Sequence, residues 1–69
     1  MYVYILQLQY DSYYCGITNN LHRRIQEHRS KTHGYIARRL PIIDVYYVKV
    51  INRRVAAMLE RVITIILQL

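Results

Sequence analysis

The pattern of apolar and polar positions begins with an alternation of period two. Over residues 2–9, one face of the predicted strand carries Tyr2, Tyr4, Leu6 and Leu8. Asp11-Ser12 is a turn signal, and a second apolar run over residues 13–17 follows it directly. We therefore expect an antiparallel hairpin. If its two strands pair in register, Tyr4 and Tyr14 lie near the same end of the sheet.

Helical periodicity follows the hairpin. Asn19 and Asn20 are each suited to cap a helix that runs from about residue 20 to residue 29. At about 100° per residue, one arc of this helix carries Leu21, Arg24, Ile25 and His28. A guanidinium and an imidazole thus stand beside an apolar seam, where a site would be built. Gly16 precedes the helix, and we expect it to form a tight turn, to allow a close approach or to take a positive φ.

The second half of the chain begins with a loop over residues 30–34. Residues 35–40 are predicted to form a short basic helix that ends before Pro41, because proline cannot continue a helix and restricts the residue before it. The long β-branched and aromatic run over residues 42–51 predicts a third strand, which we expect to form the middle of the core.

Asn52 is a plausible N-cap for a last helix, although β-branched residues over 62–66 leave the end of that helix open. The predicted order is β-β-α-(α)-β-α, with no internal repeat and no linker. At 69 residues the chain is long enough for one domain, which we expect to span residues 1–69.

Charge narrows the function. Ten Lys and Arg residues against four Asp and Glu residues give a net charge of +6. Six of the ten basic residues lie between Arg23 and Arg39, where Glu27 is the sole acid. Such a stretch suits a polyanion, most simply nucleic acid, and the alternative is a solvated surface that keeps the protein soluble. The residues expected to position phosphates are Arg23, Arg29, Lys31, Arg38 and Arg39.

Cysteine usage and the chain ends predict a location. The single cysteine, Cys15, excludes an internal disulfide and a cysteine-rich zinc module. Gln7 and Gln9 interrupt the N-terminal apolar run too early for a signal peptide, and residues 62–69 are too few to span a bilayer. We expect a soluble cytoplasmic protein that does not bind membranes, nucleoid-associated in a bacterium or nuclear in a eukaryote.

Several short motifs follow one another at particular spacings. Tyr2-Val3-Tyr4 is followed, ten residues after Tyr4, by Tyr14-Cys15-Gly16, and ten further residues lead to Arg24 in an Arg-x-x-x-His sequence that ends at His28. This ordered set resembles the GIY-YIG nuclease domain, in particular its small single-domain branch. The resemblance extends over nearly the whole chain through Tyr35-x-x-Arg38-Arg39-x-Pro41, Tyr46-Tyr47 and a glutamate in the last helix.

The resemblance implies an α+β fold, with a compact sheet of three antiparallel strands flanked by helices. It also implies hydrolysis of DNA phosphodiester bonds with one divalent metal ion, Mg²⁺ or Mn²⁺. Carried over to this chain, Tyr4 and Tyr14 are at the scissile phosphate, Arg24 neutralises that phosphate, His28 assists the nucleophile or its proton, and Glu60 is the protein ligand of the metal.

The chemistry of these residues supports the same roles. Tyrosine, with a pKa of about 10, is a poor base unless nearby cations lower that value, and Arg24 with a metal would supply such a field. Either tyrosine, or His28 acting through one of them, could take the proton of the attacking water, and we favour Tyr4 or Tyr14 assisted by His28. Glu60 has no basic neighbour three or four residues away, so no helical ion pair accounts for it. A single carboxylate suits magnesium, with waters completing the coordination. Each residue also has a structural alternative. These are packing for the tyrosines, surface charge for Arg24, a helix-dipole contact for His28 and a contact through space to Arg54 or Arg61 for Glu60.

Two features depart from the family pattern. Tyr2 stands where the first motif has glycine, and residues 62–69 are apolar where the family has a lysine-rich continuation. The apolar segment could be a shortened helix, a contact to a second copy or protein partner, or a sign of a decayed copy. The leading hypothesis is a structure-directed or weakly sequence-specific endonuclease. Its rivals are a non-catalytic nucleic-acid-binding domain and, less favoured, a basic peripheral membrane or ribosome-associated protein.

Overall fold

Three antiparallel strands and two helices form the fold in a computed structural model, which describes residues 1–68. In chain order the elements are β1 (Tyr2–Leu8), β2 (Ser12–Thr18), α1 (Leu21–Arg29), a 3₁₀ turn (Ala37–Arg39), β3 (Asp44–Lys49) and α2 (Arg53–Leu67). The strand order in the sheet is β2-β1-β3, and β1 pairs antiparallel with both neighbours. The α+β prediction with a three-stranded antiparallel sheet is therefore confirmed.

The central strand is β1, and the expectation that the third strand forms the middle of the core is wrong. The buried core cluster contains Tyr4, Leu6 and Leu8 of β1, joined by Ile36. Five of the six residues of β3 are exposed, since this strand lies at an edge of the sheet. A β-branched and aromatic run fits an edge strand as well as a central one, so composition alone does not separate the two.

The hairpin between β1 and β2 turns at Tyr10 and Asp11, whose φ angles of 63° and 53° are typical of the tight primed turns that join antiparallel strands. Its register pairs Leu6 with Tyr14 and Tyr4 with Gly16. Tyr4 and Tyr14 consequently lie diagonally across the same face of the sheet, as expected. Gly16 lies inside β2, so the predicted tight turn at this residue is wrong.

The two helices cover opposite faces of the sheet. Leu21 and Ile25 of α1 pack against the core cluster on the face that carries Tyr4. On the other face, Ile63 of α2 lines a common cavity with Val3 and Ile5 of β1, which alternate with Tyr4 along the strand. This two-sided covering explains why β1 is the most buried element.

Both α-helices begin at an asparagine cap. The Asn20 side chain accepts a hydrogen bond from the Arg23 backbone N–H at 3.0 Å, and Asn52 accepts one from Val55 at 2.9 Å. Of the two asparagines suggested for α1, the cap is thus Asn20, and the prediction of Asn52 is confirmed. No helix within residues 1–68 is long and apolar enough to cross a membrane.

The predicted helix over residues 35–40 is reduced to the 3₁₀ turn Ala37–Arg39. Leu40 has the extended backbone typical of a residue before proline, and this ends the turn. The Gln9 N–H donates to the Arg39 carbonyl at 2.9 Å, so the segment is tied to the end of β1. At the other end of the chain, α2 continues through its β-branched residues to Leu67, because the helix propensity of such residues is only modestly unfavourable.

Candidate active site

A polar cavity of about 300 Å³ lies at the outer edge of β2. Because α1 and α2 cover opposite faces of the sheet, side chains from both helices can meet only beyond the edge strand. Arg24 of α1 and Glu60 of α2 do so here, together with Tyr4 and Tyr14. Gly16, Ile17, Thr18, Asn19 and Arg53 complete the lining. Four of the five residues predicted for catalysis and metal binding therefore share one cavity.

The fifth, His28, stands directly behind Tyr4. Its Nε2 lies 2.7 Å from the Tyr4 hydroxyl oxygen in a buried hydrogen bond, and the Tyr14 ring lies edge-on to the imidazole at 5.3 Å between centroids. The two tyrosine rings are 6.4 Å apart. Within residues 1–68, Nδ1 of His28 is buried without a hydrogen-bond partner, so the contact to Tyr4 is the polar contact that holds the ring.

Burial governs the ionisation of this pair. Tyr4 is 1% exposed, and burial, followed by the nearby Tyr14, raises the pKa of Tyr4 to about 12 despite an opposing effect of Arg24. Burial, and then the Arg24 and Lys31 charges, lower the pKa of His28. The expected effect of Arg24 on the Tyr4 pKa exists, but it is smaller than that of desolvation. At neutral pH the pair is therefore a neutral phenol hydrogen-bonded to a neutral imidazole.

Gly16 allows the Tyr4 ring to cross β2. A Cβ built on Gly16 would lie 2.5 Å from the Tyr4 hydroxyl oxygen and 2.7 Å from Cζ, far inside van der Waals contact. Gly16 is not among the described residues with positive φ. Of the alternatives suggested for this glycine, the close approach is therefore the one found, since only a residue without Cβ leaves room for the phenol.

Arg24 is half-buried, and it shares an acid with its neighbour. Its Nε lies 3.1 Å from Oε1 of Glu27, but the N–H is not directed at the oxygen and has no hydrogen-bond acceptor within the described chain. Nε of Arg23 lies 3.8 Å from Oε2 of the same glutamate. One carboxylate between two guanidiniums leaves a net positive charge at this wall of the cavity.

Glu60 is half-buried, and no Lys, Arg or His within residues 1–68 pairs with it. Burial and then the negative charge of Glu60 raise the pKa of the Cys15 thiol on β2. No cluster of three or more His, Cys, Asp or Glu residues that could hold a metal exists in the described residues. A lone, unpaired carboxylate in a polar cavity fits a hard cation such as Mg²⁺, which keeps most of its waters and relies on substrate phosphates for further ligands.

Comparison with known proteins identifies the domain. The family model described as the GIY-YIG catalytic domain matches residues 1–64. The chain belongs to the GIY-YIG family. No curated protein and no solved structure matches it. Membership places the chain among nuclease domains. Tyr4 and Tyr14, which the sequence resemblance predicts to be the motif tyrosines, both line the polar cavity.

One charged residue of the polar cavity, Arg53, was not predicted from the sequence. It lies in the first turn of α2, seven residues before Glu60, and two helical turns bring the two side chains to the same side of the helix. That spacing was the available signal. Together with Arg24, Arg53 makes the cavity richer in positive charge than the motif residues alone would predict.

The residues predicted to position phosphates fall into two groups. Arg29, Lys31 and Arg38 are exposed, as is Arg23. Arg39 differs, because its guanidinium carbon stacks 3.8 Å above the centroid of the Tyr35 ring and its Nη1 donates to the Tyr35 carbonyl at 3.0 Å. Arg39 is thus engaged within the protein, and its predicted phosphate contact remains a prediction.

Proposed function

We propose that this GIY-YIG domain is a divalent-metal-dependent endonuclease that hydrolyses DNA phosphodiester bonds. The observation that carries the proposal is the shared polar cavity of Tyr4, Tyr14, Arg24 and Glu60. Hydrolysis needs a deprotonated water, positive charge at the phosphate oxygens and stabilisation of the leaving oxygen. The cavity and the histidine behind it contain groups suited to the first two of these needs.

Arg24 and Arg53 bind the scissile phosphate in this proposal. Both line the cavity, and the pentavalent transition state carries more charge on its oxygens than the ground state does. Guanidiniums at the cavity wall therefore stabilise the transition state more strongly than the bound substrate. Glu27 orients Arg24 from behind through their 3.1 Å contact.

Tyr4 and His28 move the proton of the attacking water. A free phenolate is scarce at neutral pH, because the pKa of Tyr4 is raised to about 12. The 2.7 Å hydrogen bond offers another route: the Tyr4 oxygen accepts a proton from water while its own proton passes to Nε2 of the neutral His28. Tyr14 remains the alternative base, and the leaving oxygen takes its proton from solvent.

Glu60 holds the divalent ion. When bound, Mg²⁺ or Mn²⁺ supplies Lewis-acid charge for the phosphate and leaving oxygens. With one carboxylate as its protein ligand, the site depends on the substrate phosphates for affinity. We expect metal binding and DNA binding to strengthen each other.

The test is nicking of supercoiled plasmid with and without Mg²⁺. We expect the parent to nick in a metal-dependent manner, Glu60→Gln to lose this activity while retaining DNA binding, and Asp44→Asn to match the parent. Asp44 is the control because it is an exposed acid on β3, outside the cavity, and its substitution changes the charge equally. A parent protein that binds DNA but cleaves no plasmid, flap or single strand would instead identify a non-catalytic binding domain.

A further inference from the structure

A second cavity, of about 560 Å³, lies along β2 beside the polar cavity of Tyr4, Arg24 and Glu60, which we call the catalytic cavity in accordance with the proposed function. Three tyrosines, Tyr13, Tyr14 and Tyr35, contribute to its walls, so we call it the tyrosine cavity. Its remaining lining is polar or apolar and includes Ser12 and Thr64. No Lys or Arg of the described chain lines it, and its one charged residue is an acid, Asp11. The tyrosine cavity is therefore unsuited to a phosphate and suited to a flat, uncharged, polar-edged group.

Tyr14 is shared between the tyrosine cavity and two cavities that contain basic side chains. It lines the catalytic cavity together with Arg24 and Arg53. It also lines a smaller cavity of about 160 Å³ that includes Lys31 and His33. The tyrosine cavity thus shares the Tyr14 ring with each of two cavities that contain basic residues. In a bound DNA strand, a base could occupy the tyrosine cavity while the phosphates on either side of its nucleotide lie in the other two.

Tyr35 is held in place before any ligand arrives. Its hydroxyl donates to the Tyr13 carbonyl at 3.1 Å, and the Arg39 guanidinium stacks on its ring at 3.8 Å. The residue is nevertheless 42% exposed, so part of it remains accessible. A fixed, accessible aromatic ring is the usual platform for stacking a nucleobase, because little conformational freedom is lost on binding.

We propose that the tyrosine cavity binds an unpaired nucleobase next to the scissile phosphate, so that the preferred substrates are single strands, flaps or bulges. This inference rests on the proposed endonuclease function. A base inside a duplex must leave its stack to enter a cavity, whereas an unpaired base is already free to do so. Ser12 and Thr64 offer hydroxyls to the edge of the base, and hydroxyls donate and accept without selecting one base.

The experiment compares cleavage of three labelled DNAs in Mg²⁺: a fully paired duplex, a flap, and the same flap with an abasic nucleotide beside the cleaved bond. We expect the parent to cleave the intact flap with a kcat/KM about tenfold or more above that of the abasic flap. Tyr35→Leu should remove this difference between the intact and the abasic flap. Tyr35→Phe is the matched control, because it keeps the ring and loses only the hydroxyl contact to Tyr13.

Binding separates this inference from the proposed function. Glu60→Gln and its double variant with Tyr35→Leu are titrated with the same DNAs by fluorescence anisotropy. Tighter binding of the intact flap than of the abasic flap, lost in the double variant, supports the cavity even if no DNA is cleaved. Equal affinity or equal cleavage of the intact and abasic flaps would overturn it, even in an active nuclease. Thermal unfolding of Tyr35→Leu at the parent's temperature attributes any loss to the missing ring.

Discussion

At the scale of single residues, Tyr4 is a core residue to which we also assign a chemical role. Its ring is part of the core cluster, and its hydroxyl reaches His28 at 2.7 Å. The same burial that makes the ring a core residue raises the pKa of its phenol to about 12 and lowers the pKa of His28. Core packing thus favours the neutral forms of both groups. The proposed proton relay from Tyr4 to His28 starts from these neutral forms, so neither group has to ionise beforehand.

The relay predicts a particular dependence of the nicking rate on pH. The neutral form of His28 accepts the proton, and its folded pKa lies below 6.5. The rate should therefore fall as pH drops through the His28 pKa and be flat above about pH 7. A free Tyr4 phenolate as base would instead make the rate rise about tenfold per pH unit up to about pH 10, because the pKa of Tyr4 is about 12.

Single-turnover nicking between pH 5 and pH 10 measures this profile. We expect His28→Gln to lose the acidic limb and to lower the rate by about a hundredfold or more. His22→Gln is the matched control, because His22 is an exposed histidine on the same helix. A parent rate that keeps rising from pH 7 to pH 10 would contradict the relay.

At the scale of elements, the packing of β1 against β2 is what admits the phenol. Tyr4 and Gly16 are direct partners in the register, and the Tyr4 ring occupies the space that a side chain at Gly16 would need. The position of the Tyr4 hydroxyl in the polar cavity therefore depends on the pairing of β1 with β2 and on the absence of a Cβ at Gly16. Because β2 is an edge strand and has glycine at position 16, side chains of both α1 and α2 can line the polar cavity beside it.

Gly16→Ala should destabilise the fold by about 1–3 kcal/mol, because the added Cβ overlaps a fully buried ring. Urea unfolding measures the free energy. Tyr4→Leu removes the atoms that clash, so in the double variant the alanine should cost much less than in the parent. Equal costs of the alanine in both backgrounds would show that the close approach is not what requires glycine.

At the scale of the whole molecule, the two sides of α2 differ in character. On one side, Arg53 and Glu60 line the polar cavity. The opposite side is apolar and exposed along Val55, Met58, Val62 and Ile65, at alternating spacings of three and four residues. That spacing is typical of a seam between two helices. Of the alternatives given for the apolar segment, it favours a contact to a second copy or a protein partner, and we propose a second copy.

Sedimentation at increasing concentration tests this contact. We expect the parent to self-associate and Val62→Lys to remain monomeric, because a buried lysine in the seam would have to lose its hydration. Ile43→Lys is the control, since Ile43 is 55% exposed, Val62 is 53% exposed, and Ile43 lies outside α2. A parent that stays monomeric at all concentrations would contradict the prediction.

The sequence was sufficient for the three strands, the two α-helices and the family, because these depend on local patterns. Alternation over residues 2–9 predicts β1, Asn52 predicts the cap of α2, and the helical arc ending at His28 predicts the inward face of α1. The ordered motifs identified the GIY-YIG family, whose model matches residues 1–64. Local pattern failed where two arrangements share one composition, as for β3 at the edge of the sheet.

Only the tertiary structure decided what lies beside what. Arg53 lies in the polar cavity, the Arg39 guanidinium stacks on the Tyr35 ring, and Gly16 lies under the Tyr4 ring. The sequence alone determines which groups are available and on which face of an element each stands. Their mutual distances and the pKa values of Tyr4 and His28 depend on burial and on neighbours that are remote in the chain, and these exist only after folding.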